Sequence, residues 1–254
     1  MSQTNSKIVG LIFFLIIVSA LFFAALMPVK QQVGKHVKSI NISGNHLLPQ
    51  VSYLKFAKLN NAQNSVEITL PILKARLEKH PFVSSAEVEI SELNNAKVFV
   101  HEKNLVAIVI CENQTFLLSD ELQLLPLFSS TKFIDLPIIN NPKYSRRYKA
   151  LEYLQSKEII EANNIIYAIK SSNEEMFKNL SEINLNKGDD ITLTFSGVHP
   201  IVKFGRNNIP QKIWSLNSIW DEIKNADNDL SQSDYVDLRF TNQIYLGKAE
   251  ETEI

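Results

Sequence analysis

The stretch "ITLPILKARLEKHPFVSSAEVEIS", Ile68 to Ser91, sets two periodicities back to back. In its first half Leu70, Leu73 and Leu77 recur three and four residues apart, with Lys74, Glu78 and Lys79 between them. That is the spacing of a helix with one apolar face. Pro71 falls in the first turn, where a missing N–H is harmless. In the second half Ala86, Val88 and Ile90 alternate with Ser85, Glu87, Glu89 and Ser91, the pattern of a strand with one buried face. A helix leading straight into a strand points to a mixed, α+β fold.

Working outward, Asn94 and Asn95 form a turn, and Val98 and Val100 begin a partner strand that ends at "VHEKN". Upstream, Val37, Ile40 and Ile42 suit a strand closed by the turn signal Ser43-Gly44-Asn45, and Val51, Leu54 and Lys58 mark one face of a short helix. The order strand, helix, helix, strand, strand predicts a small unit over residues 36–104. Its three-stranded sheet would carry two helices on one face.

From Leu105 the pattern changes. "LVAIVI" is an unbroken apolar run, as expected of a strand buried on both faces. A hairpin around Ser119-Asp120, a short extended piece ending at Pro142, and a hairpin over "INLNKGDDITLTFSG" follow. "RYKALEYLQSKEIIE" is expected to be helical, with Leu151, Leu154 and Ile159 inward. "IPQKIWSLNSIWDEIKN" is a helix with an apolar stripe of Ile213, Leu216, Trp220 and Ile223. Trp220 on that stripe is a core residue, whereas Trp214, one residue off it, is a surface candidate. Residues 105–247 are thus expected to form a mainly antiparallel β domain with flanking helices. The domain ends on "DYVDLRFTNQIYLG", where Val236, Leu238 and Phe240 alternate with Asp237 and Arg239. That terminal strand either closes a sheet or leaves an edge for another chain to pair with.

The run "IVGLIFFLIIVSALFFAALM", Ile8 to Met27, is uncharged and long enough to cross a bilayer as a helix. It exceeds the roughly 7 to 15 apolar residues of a signal peptide, so an uncleaved anchor is expected. Residues 1–7 would precede it, and 28–35 would form a linker. Lys7 lies before the run and Lys30, Lys35 and Lys38 after it, so the charge count does not fix the orientation. The 254-residue chain has a formal net charge of -1, which gives no basic excess for nucleic acid. Its single cysteine, Cys111, excludes an intrachain disulfide. The five histidines are scattered, and no HExxH, GxSxG or S-x-x-K pattern occurs. Neither catalysis nor a cofactor nor a small-molecule substrate is expected.

An anchor followed by "VKSINISGNHLL", "LKARLEKHPFVSSAEVEI" and "KVFVHEKNLVAIV" resembles the polypeptide-transport-associated (POTRA) module of the FtsQ/DivIB cell division proteins. Phe204-Gly205-Arg206 is similar to that family's Leu-Gly-Arg step before a helix, and Tyr235 to Phe240 to its closing Tyr-Val-Asp-Leu-Arg-aromatic strand. The resemblance implies a single-pass inner-membrane protein with a cytoplasmic N-terminus, both domains in the periplasm, and a septal location. It implies a non-catalytic scaffold of the divisome. Its partners would be membrane proteins of the FtsB/FtsL type, received by strand addition at the C-terminal edge, and of the FtsW/FtsI/FtsK type. Tyr235, Asp237, Arg239, Phe240, Gln243, Tyr245 and Trp214 are the expected contact residues. Lys248 stands where some members carry a Trp after the glycine, so the contacts differ in detail. A membrane-anchored POTRA protein serving envelope protein export or assembly is the competing expectation. A uniform envelope distribution, as against septal enrichment, would favour it.

Overall fold

A computed structural model of the chain describes residues 3–26, 35–37, 39–59, 67–91, 95–112, 114–225, 232–240 and 243–248. An N-terminal helix α1 (Gln3–Leu26) comes first. A first lobe follows, made of β1 (Lys35–His36), β2 (Ser39–Ser43), α2 (Gln50–Phe56), β3 (Glu67–Ile68), α3 (Leu70–Glu78), β4 (Val83–Ile90) and β5 (Asn95–Glu102). The second lobe contains β6 (Leu105–Cys111), β7 (Gln114–Ser119), β8 (Leu124–Pro126), β9 (Ile138–Asn140), α4 (Lys157–Ser172), α5 (Glu174–Asn179) and β10 (Leu180–Asn184). It continues with β11 (Thr192–Phe195), β12 (Ile201–Lys203), α6 (Ile209–Ser218), α7 (Trp220–Lys224), β13 (Tyr235–Asp237) and β14 (Tyr245–Gly247).

Among the described residues no helix is long and apolar enough to cross a membrane. The span expected over Ile8–Met27 reaches beyond the side chains that are described, which in α1 run from Ile12 to Phe23. All of those are exposed. The linker 28–34 and the tail 249–254 lie outside the described residues.

In the first lobe β2, β5 and β4 form a three-stranded sheet, with β2 parallel and β4 antiparallel to β5. The alternation read from Ala86, Val98 and Val100 turns these side chains inward, where they meet Leu73 and Leu77 of α3. In α2 the inward residue is Tyr53, and Val51 is exposed, so the helical face lies elsewhere than Val51, Leu54 and Lys58 predict. A tyrosine suits this core because its hydroxyl finds a partner, donating to the Glu102 carboxylate. The same carboxylate accepts the backbone N–H groups of His46 at 2.8 Å and Leu47 at 2.9 Å. Glu102 thereby fixes the chain that leaves the turn at Gly44, whose φ of 78° only glycine adopts freely.

The second lobe is a nine-stranded sheet in the order β14-β13-β12-β11-β10-β9-β6-β7-β8. It is mixed: β6 with β9, β9 with β10, and β12 with β13 pair in parallel. The expectation of a mainly antiparallel domain is corrected to that extent, because α4 with α5 and α6 with α7 act as crossovers, and a crossover returns the chain parallel. The predicted stripe of α6 and α7 holds, with Ile213, Leu216, Trp220 and Ile223 all buried. The helix expected over "RYKALEYL" does not form. A single 3₁₀ turn (Ser145–Arg147) is followed by an extended strap, and α4 begins only after Ser156. Leu151 in that strap is half exposed with φ of 70°.

The two lobes share a core. Only Lys103 and Asn104 separate β5 from β6. Ala107, Val109 and Cys111 turn toward α4 and α6, whereas Leu117 and Leu125 from β7 and β8 are fully buried among Tyr53, Phe82 and Val100 of the first lobe. In the run "LVAIVI" Ala107 and Val109 are buried, whereas Leu105 and Ile108 on the other face are half-buried against the first lobe, so the expected burial on both faces is met fully on one face and in part on the other. Polar ties reinforce the joint. Lys103 donates to the Gln123 side-chain oxygen, and the Lys132 N–H donates to the Leu47 carbonyl at 2.9 Å.

Candidate interaction surface

The two ends of the large sheet are finished differently. At β8 the strap returns and pairs: Leu151 N–H donates to Leu124 O at 2.7 Å, Leu124 N–H to Glu152 O at 2.9 Å, and Leu154 N–H to Leu122 O at 2.8 Å. At the other end β14 pairs with β13 on one side, and among the described residues no strand lies beyond it. The segment expected as one terminal strand is therefore a hairpin, with β14 as the edge. An edge strand with nothing over it displays backbone donors and acceptors that another strand satisfies.

The sequence-predicted contact residues divide into two groups. Asp237 is 4% exposed and accepts Arg239 Nε at 2.9 Å, Nη2 at 2.6 Å and the Arg239 N–H at 3.0 Å. Burial pushes its carboxyl up, but the hydrogen bonds from Arg239 outweigh that and hold it below the ordinary carboxylate value. Arg239 extends to Asp190 at 2.9 Å, and these two acids raise its own pKa further. Tyr235 is half-buried, with the Lys203 ammonium 3.3 Å from its ring centroid. Its ring lies so close to Gly247 that a Cβ there would fall 2.2 Å from Tyr235 Cζ. Through these contacts the buried Asp237, the half-buried Tyr235 and the exposed Arg239 brace β13.

Phe240, Gln243, Tyr245 and Trp214 instead face outward. Phe240 and Tyr245 are about half exposed and meet edge to face, with centroids 4.9 Å apart. Tyr245 Oη donates to Gln243 Oε1. Trp214 stands 71% exposed on α6. Between α6 and the residues Phe240 and Gln243 runs a cleft of ≈ 240 Å³, which Gln211 and Ser215 also line. Sequence reasoning missed Leu246, which is 42% exposed on β14.

The step "FGR" holds this surface in place. Gly205 has φ of 67°, and a Cβ there would come within 2.8 Å of Arg239 Cγ, so glycine lets the Arg239 stem lie against the loop. Lys212 Nζ is buried and donates to Phe204 O at 2.7 Å and Arg206 O at 2.9 Å, which satisfies two loop carbonyls. Burial lowers its pKa. Arg206 donates to Glu161 and, at 3.0 Å, to Asp189 O, tying the loop to α4. Among the described residues no three His, Cys, Asp or Glu side chains are placed to hold a metal ion.

The chain is a two-lobed α+β protein whose large sheet is closed at β8 and, among the described residues, has no further strand beyond β14. A family model described as "Cell division protein FtsQ/DivIB, C-terminal" matches residues 107–239, more than half of the chain, and the chain belongs to the FtsQ/DivIB family. The chain is also similar to the cell division protein FtsQ of Geotalea daltonii, at 23% identity over 214 residues, 84% of this chain and 75% of that protein. The family match runs from β6 to Arg239, so the Phe240 turn and β14 lie beyond it.

Proposed function

We propose that this chain is a non-catalytic, single-pass scaffold of the bacterial divisome that receives an FtsB/FtsL-type partner at its C-terminal sheet edge. The observation that carries the proposal is the asymmetry of the sheet: the β8 edge is closed by residues 151–154, and among the described residues no strand closes β14. A partner strand laid along β14 gains main-chain hydrogen bonds there, while Phe240, Tyr245 and Leu246 offer exposed apolar surface for selection. Residues 8–27 anchor the chain, which the exposed apolar side chains from Ile12 to Phe23 support, and the family resemblance puts its N-terminus in the cytoplasm. Residues 36–104 act as the POTRA domain and 105–247 as the FtsQ-type domain, both in the periplasm. FtsW/FtsI/FtsK-type proteins are further partners. A fluorescent fusion to the N-terminus, imaged in dividing cells depleted of the native copy, tests the class. A midcell band with restored division supports the scaffold, and a uniform envelope signal without rescue refutes it. Pull-down of the FtsB/FtsL-type partner by Phe240→Ala and Tyr245→Lys tests the surface. Wild-type capture by both folded variants would rule it out.

A further inference from the structure

A second surface lies away from the C-terminal edge. The segment "KYSRRYK", Lys143 to Lys149, carries four cations in seven residues and no acid, within a chain whose net charge is -1. Pro142 and Tyr148 are buried at its two ends, and Lys143, Tyr144, Arg146, Arg147 and Lys149 between and beside them are exposed. Backbone bonds hold the segment in one shape. Ser145 N–H donates to Pro142 O at 3.3 Å, Arg147 N–H to Tyr144 O at 3.0 Å, and Tyr148 N–H to Ser145 O at 3.2 Å. Lys187 joins the cluster, because its N–H donates to Asn141 O at 2.8 Å and its exposed side chain lines the same cleft.

The ridge so formed has a cleft of ≈ 450 Å³ on the Lys187 side and one of ≈ 500 Å³ toward α4. At its crest Tyr144 is half exposed, with Arg147 5.4 Å and Lys143 5.8 Å from its ring centroid. The neighbouring acids are largely committed. Glu112 takes Arg146 at 2.9 Å, Glu158 accepts the Lys143 N–H at 2.9 Å, and Glu152 accepts the Lys149 N–H at 3.2 Å. Glu152, Glu158 and Glu161 line the cleft toward α4 and keep their charge, whereas the Lys187-side cleft brings Lys143, Arg146, Arg147 and Lys187 around Tyr144 with Glu112, already paired to Arg146, as its one acid, so the cationic face is that one.

We propose that this ridge is a docking site for an acidic, extended peptide segment of a partner protein. The charge selects carboxylates, which arginine binds with a matched fork. The cleft geometry selects an extended chain, because a flat bilayer surface meets convex ground and does not enter clefts. Tyr144 supplies apolar contact between successive carboxylates. This site is independent of the strand-pairing edge and does not rest on it.

The test is fluorescence anisotropy of a labelled octaglutamate peptide titrated with the full chain in micelles of a neutral detergent. Saturable binding at low salt is expected, weakening toward about 0.15 M salt, where screening shortens to roughly 8 Å. The double variant Arg147→Glu/Lys149→Glu is expected to lose about tenfold or more in affinity. Phe240→Ala, at the other surface, is expected to bind as wild type. Absence of saturable binding overturns the proposal, as does equal binding by the charge-reversed variant when circular dichroism shows both proteins folded. Binding found only when phosphatidylglycerol vesicles replace the peptide also overturns it, in favour of a lipid site.

Discussion

Replacing Asp237 by Asn separates the brace from the contact surface. Asn has the same shape but loses the charge that receives Arg239 through Nε and Nη2. A hydrogen bond to a charged group contributes about 1.5–3 kcal/mol net. Because Asn retains one acceptor oxygen, a loss of about 2 kcal/mol is expected for the site as a whole. For a protein of this size that corresponds to a fall in melting temperature of about 4–8 °C at neutral pH. The pH dependence supplies an internal check. The carboxyl is held below its ordinary value in the fold, so its contribution is complete above the unfolded value of about 3.9 and is lost as the pH falls through the folded value. Wild type and Asp237→Asn should therefore differ at about pH 7 and converge at strongly acid pH. The assay is thermal unfolding of both proteins across that range. A variant that melts like wild type at neutral pH yet fails to bind the partner would refute the brace and make Asp237 a contact.

Other outcomes follow from the first lobe and its joint with the second. His80 is 4% exposed and ringed by Tyr53, Phe56, Phe82 and Phe128, and burial lowers its pKa from 6.5 to about 4. Its neutral form favours the fold above the unfolded value, and that stability drains as the pH drops from about 6.5 toward 4, on the order of 3 kcal/mol in all. His80→Gln should flatten this window in denaturant titrations. Gly44→Ala should cost several kcal/mol, since a Cβ would sit 2.3 Å from the Val100 carbonyl oxygen at a positive φ; urea unfolding measures it. Phe82 is fully buried and meets Phe128 of the second lobe edge to face, with centroids 5.2 Å apart. Phe82→Ala should remove about 3–5 kcal/mol and lower one shared melting transition in calorimetry. Two separate transitions, with only the first shifted, would show that the lobes do not share a core.

Much of this was legible where local pattern and tertiary demand agree. The α3–β4 step, the α6–α7 stripe and the turn glycines Gly44 and Gly205 all carry their own physical cause in the chain. The strap after Tyr148 was not legible. Leu151 and Leu154 have helical spacing, yet their N–H groups are drawn to the β8 edge, and a left-handed leucine has no sequence signature. The same holds for the sheet ends. "DYVDLRFTNQIYLG" reads as one extended stretch because alternation resumes after the polar residues Thr241 to Gln243, but β13 ends at Asp237, which is buried and held by the exposed Arg239. Among the contact candidates, type alone did not separate Tyr235 from Tyr245. Their difference lies in what packs on them: Lys203 and Gly247 for one, a second exposed aromatic for the other. The partner layer over β7 and β8 was equally silent, since Leu117 and Leu125 look alike whether a helix or another lobe covers them.

The decisive measurement is amide hydrogen exchange of the full chain in detergent, with and without the periplasmic segment of an FtsB/FtsL-type partner. Strand addition predicts new protection at those amides of Tyr245–Gly247, alternate along β14, that point away from β13, with the β8 edge unchanged. A bound partner that leaves those amides exchanging as in the free chain would contradict pairing at β14.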